Sequence, residues 1–60
     1  MITVYESAYV RIKWNKSATF NVFTLTPAGW VNVECFTHYG ADTEDQAKGI
    51  AVAWLAEREQ

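Results

Sequence analysis

The stretch that most constrains this chain is its last one, Thr43 to Glu59, which reads TEDQAKGIAVAWLAERE. A threonine opens it and Gln46 follows three residues later, the spacing at which two side chains satisfy the free amides of a helix start. Ala47, Ile50, Ala51, Trp54 and Leu55 then fall on one stripe of a helix. The pattern predicts a helix over about 43–58 with one apolar face. Everything before it reads as strand, so this helix is the one element available to cover a sheet.

Ile2, Val4, Ala8, Val10, Ile12 and Trp14 occupy even positions, with mostly polar or aromatic residues between them. Such alternation is the mark of a strand with one buried face. Glu6 interrupts the set and predicts a bend, a bulge or a division into two short strands near Glu6–Ser7. Asn15-Lys16-Ser17 reads as a hairpin loop that sets Trp14 opposite Ala18, Ile12 opposite Phe20 and Val10 opposite Val22. Thr26-Pro27-Ala28-Gly29 is a second turn, in which proline presets φ. In the third strand Val31, Val33 and Cys35 are expected to face inward, and Trp30, Asn32, Glu34, Phe36 and His38 outward. Gly40 then allows the reversal into the helix. The expected architecture is α+β: a three-stranded antiparallel meander (about 2–14, 18–26 and 30–38) with the C-terminal helix on one face, β-β-β-α, in one domain spanning 1–60.

Sixty residues give a marginal core, since a chain of this size buries only about 60% of its unfolded surface. An oligomer or a permanent partner would help it. Cys35 and His38 are the sole cysteine and histidine, which leaves no intrachain disulfide and too few ligands for a structural zinc; no cofactor is implied. The chain starts directly in strand-like sequence, so the expectation is a cytoplasmic protein without a membrane partner. The net charge of −2 is unevenly spread: residues 1–40 balance at +1, and residues 41–60 at −3. Neither part has the dense basic field of a non-specific DNA binder.

An enzymatic role lacks its inventory. Cys35 and His38 are expected on opposite faces, and no phosphate loop, HExxH or nucleophile elbow occurs. Glu44 and Asp45 sit where a helix dipole favours acids, and Cys35 reads as a small buried residue.

The uncovered sheet face carries the functional expectation. It would display Tyr5, Tyr9, Arg11, Lys13, Phe23, Leu25, Trp30, Phe36 and His38, where a solvated face should be mostly polar. Large rings beside cations are the residues of interface hot spots. Tyr9, Arg11, Lys13, Phe23, Trp30, Phe36 and His38 are therefore the candidate partner-binding residues, with truncation of Trp30 or Phe36 expected to spare the fold. Cross-strand pairing, for instance of Tyr9 with Phe23, is the plain structural alternative. On the helix's far side, Gly49, Val52, Ala53 and Ala56 form a small, uncharged surface suited to helix–helix contact. The partner expected is a protein or a second copy of the chain, with nucleic acid as the alternative.

The order of three strands and a helix is similar to the AP2 type of plant DNA-binding domain and to the arm-binding domains of phage integrases, whose exposed sheets read the major groove. Their arginine-rich strands are not matched here, where Asn32 and Glu34 stand instead. The helix start GADTEDQA resembles that of HicB-type antitoxins. In size and style the chain resembles small phage and mobile-element accessory proteins, including inhibitors. These resemblances imply a fold and a mode of contact and assign no functional residue.

Overall fold

A computed structural model describes residues 1–58. Its elements are β1 (Ile2–Glu6), β2 (Val10–Trp14), β3 (Thr19–Thr26), β4 (Gly29–Thr37) and α1 (Glu44–Arg58). The strands form one antiparallel sheet in the order β1-β2-β3-β4, with α1 after it, so the fold is α+β as expected. The expected first strand is in fact two, and the strand count is four rather than three. The break comes at Ser7–Tyr9, where Ser7 N–H donates to Val10 O and the Ser7 hydroxyl accepts from Val10 N–H. Ala8, expected inward, is exposed in this connector.

Local chemistry explains the turns. Asn15 Oδ1 accepts from Ser17 N–H at 2.9 Å and Thr19 N–H at 3.1 Å, a side chain standing in for backbone across the loop. Asn15 N–H also donates to Thr19 O, so the hairpin closes one residue later than expected at each side. Trp14 consequently pairs with Phe20, Ile12 with Val22 and Val10 with Thr24. The two-residue shift preserves parity, and Ile12, Trp14, Phe20 and Val22 are all buried. At Pro27-Ala28 the chain reverses between Thr26 and Gly29, where φ is +111° and a side chain would be strained.

Two bulges decide which face each residue joins. Thr3 pairs with Lys13 but Tyr5 pairs with Ile12, leaving Val4 as the extra residue. Tyr5 thereby turns to the core side, contrary to the expectation that it faced solvent. In β4, Glu34 pairs with Val22 and Asn32 with Phe23, which leaves Val33 extra. The Asn32 amide holds this second bulge by donating to Val22 O and Glu34 O. Beyond it the faces of β4 are exchanged relative to strict alternation: Phe36 lies inward, and Cys35, opposite Asn21, is exposed. Before it, Trp30 and Asn32 face outward as expected.

The helix start is the capping box that the spacing implied. Gln46 N–H donates to Thr43 Oγ1, and Gln46 Oε1 accepts from Thr43 N–H, both at 3.2 Å, and from Asp42 N–H at 2.6 Å. Ala47 and Ala51 are fully buried, and their small side chains let the helix approach β1 closely. Ile50, Trp54 and Leu55 pack partly buried against the same core. Ile12 and Phe20 are its largest fully buried members, each contributing about 1.5–3 kcal/mol by leaving water. The helix is described as far as Arg58, in line with the expected span of about 43–58.

Candidate functional site

The outward face of the sheet is built from residues that satisfy one another. Arg11 Nε donates to Glu6 Oε1 at 2.9 Å, and the Arg11 guanidinium lies 4.1 Å from the centre of the Trp30 ring. Lys13 Nζ sits 5.3 Å from the centre of the Phe23 ring. Each ring is thus capped by a cation, and Arg11, Lys13, Phe23 and Trp30 are all half-buried. Phe23 pairs with Arg11, so the expected cross-strand pair with Tyr9 does not form. Tyr9 stands instead in the β1–β2 connector with its ring exposed and its carbonyl accepting from Leu25 N–H. Arg11 is thus held in place by one carboxylate and one ring.

Phe36 and His38, expected on that face, belong to the other side of the sheet. The cause is the extra residue at Val33, which inverts the strand beyond it. Phe36 instead continues a ladder of rings across the core. Trp14 and Phe20 stand 6.4 Å apart, Phe20 and Phe36 4.8 Å, and Phe36 and Trp54 4.7 Å, the last two pairs within 8° of parallel. The Arg58 guanidinium lies 5.0 Å from the Trp54 ring centre and makes two contacts of 2.9 and 3.0 Å with the Glu34 carboxylate. Glu34, also expected outward, is therefore tied to the helix.

The helix lies toward β1, and on its other flank a groove of about 610 Å³ separates it from the end of β4. Phe36, Ile50 and Trp54 line it together with Gly49 and Ala53 of the helix; His38, Tyr39 and Gly40 form the sheet-side wall, and Gln46 and Glu57 add polar groups. Half of the proposed helix surface is thereby brought to one place, since Gly49 and Ala53 face the groove. Val52 and Ala56 are exposed and do not line it. A methyl group added at Gly49 would meet no atom within 4 Å, so neither crowding nor backbone conformation within the chain requires glycine there.

Comparison with protein-family models, curated proteins and solved structures returns no match for this chain. What the groove can do therefore rests on its own chemistry: apolar walls, one imidazole and one carboxylate. Among the described residues, no three His, Cys, Asp or Glu side chains converge, and no helix is long and apolar enough to cross a membrane.

Several lining residues lie outside the candidate set drawn from the sequence. Tyr39 is 79% exposed, and its signal is a ring placed beside Gly40 in an otherwise polar stretch. Ile50 and Trp54, expected as core, also line the groove.

Proposed function

We propose that this chain is a small non-enzymatic protein-binding module that docks an apolar segment of its partner in the groove between α1 and β4. The observation that carries this reading is Gly49. Glycine inside a helix costs roughly 1 kcal/mol relative to alanine, and nothing within the chain compensates for it here. Its effect is to keep the groove open beside the Phe36–Trp54 stack, whose apolar ring atoms line it. The setting we infer is that of a small accessory or inhibitory protein acting by contact.

The test is affinity capture from the native host with the wild-type chain and with Gly49→Leu and Ala53→Leu variants. Both sites are exposed, so the larger side chains fill the groove without entering the core. The reading expects a protein held by the wild type and lost from variants that melt no lower than the wild type. Retention of that protein by a filled, folded variant would sink it.

A further inference from the structure

We propose that the outer edge of β4 pairs antiparallel with the same edge of a second copy of this chain, about a two-fold axis beside Phe36. The inference rests on the reading of the chain as a protein-binding module and adds to the groove a second contact surface, through which two copies pair.

The edge itself is the first observation. β4 is nine residues long and outermost in the sheet, while the helix lies toward the opposite edge. An uncovered edge presents a row of unpaired N–H and C=O groups, and proteins usually blunt one with lysine, proline, a short strand or a covering element. Gly29–Thr37 contains neither lysine nor proline, and its single charge, Glu34, is neutralised by Arg58. The Val33 bulge is its one interruption, and the Asn32 amide fills that. β1, the other edge, is five residues long, bulged, and the strand the helix approaches.

Geometry suggests the register. His38 N–H donates to Ala18 O, so alternation along the ladder directs the main-chain groups of Thr37 and Cys35 away from β3. An axis beside Phe36 sets Cys35 against Thr37 of the second copy, and the reverse, with a pair of hydrogen bonds at each. The same register brings Val33, 56% exposed, against Tyr39 of the second copy, 79% exposed. Two of the most exposed apolar side chains near this edge would cover each other.

Charge then separates this contact from the other symmetric one. Two helices meeting back to back would oppose Glu44, Asp45 and Glu57 with only Lys48 and Arg58 to offset them. Two β4 edges meet without net charge. The pairing is isologous and closes at two copies, and it brings the two grooves side by side at the axis.

The experiment combines sedimentation across a concentration series with disulfide trapping. In a hydrogen-bonded antiparallel pair the Cα atoms lie about 5.5 Å apart, within the range a disulfide spans. A Thr37→Cys variant that keeps Cys35 is therefore expected to give a covalent dimer on mild oxidation, reversed by reductant. A control with Cys35→Ser and Thr3→Cys, a thiol remote from the edge, is expected to remain uncrosslinked. Val33→Lys, at a side chain already exposed, is expected to weaken the dimer by about tenfold or more while leaving the melting temperature unchanged. A chain that stays monomeric throughout, a dimer that the paired thiols do not trap, or one indifferent to Val33→Lys would overturn the proposal. A monomer that still loses its captured partner when the groove is filled would overturn the dimer alone and leave the binding-module reading standing.

Discussion

The ring of Phe36 lies 4.7 Å from that of Trp54 with 8° between their planes, which ties the outermost strand to the C-terminal helix. With Phe20 stacked on its other face, Phe36 is the middle of a ladder that crosses from the sheet to α1. The helix backbone sits nearer β1, so the Trp54 side chain is what spans the distance to β4. The groove exists because that span is bridged by rings and not by the helix itself.

Truncation of either ring should therefore cost stability. Phe36→Ala is expected to lose about 3 kcal/mol, since it removes a stacked ring from both neighbours and leaves a cavity between sheet and helix. Urea unfolding followed by tryptophan fluorescence measures this. A loss below about 1 kcal/mol would place Phe36 on the solvent face after all.

The capping box is a second local test. Thr43→Ala removes the acceptor for Gln46 N–H and is expected to cost about 1 kcal/mol. Gln46→Ala frees the amides of Thr43 and Asp42 together. Because the two side chains serve each other's backbone, the double variant is expected to lose less than the sum of the singles. Thermal unfolding followed by circular dichroism at the helix band provides the comparison, and strict additivity would show the two caps to be independent.

Gly49→Ala should move stability the other way. The added methyl meets nothing within 4 Å and removes backbone freedom from the unfolded chain, so a gain of about 0.5–1 kcal/mol is expected. The same change narrows the groove. A variant that is more stable and binds less well is the outcome expected of a glycine kept for contact; one that is less stable would reveal a packing role within the chain.

How much was legible in the sequence depended on how local each signal was. The Thr43–Gln46 cap and the stripe of Ala47, Ile50, Ala51, Trp54 and Leu55 are written within a few turns of chain, and both stand as read. The inward parity of Ile12, Trp14, Phe20 and Val22 was legible for the same reason, although their register was two residues off because Asn15 closes the hairpin against Thr19, which moves the three-residue loop on by one. The bulges at Val4 and Val33 have no such signature, because an extra residue leaves the composition of a strand unchanged. VNVECF alternates cleanly only with Val31, Val33 and Cys35 inward, so without the bulge the pattern points Phe36 outward. Energy favours the ring: an aromatic side chain buries about 150–250 Å², far more than a thiol, and two parallel rings already flank the position. The candidate site inherited that error. Trp30, Phe23, Arg11 and Lys13 were placed on the correct face, and Phe36 and His38 on the wrong one.

The placement of Phe36 in the groove and the exposure of Cys35 are two consequences of one bulge, and Cys35 reports on it without any substitution. The decisive measurement is the rate at which a thiol reagent modifies Cys35 in the native chain in dilute solution, compared with the rate in denaturant. The exposed thiol opposite Asn21 is expected to react fully in the native state, at a rate close to that of the unfolded chain and without loss of the fold. A thiol protected until the chain unfolds would place Cys35 in the core and Phe36 outside, and the groove on which the binding reading rests would not exist.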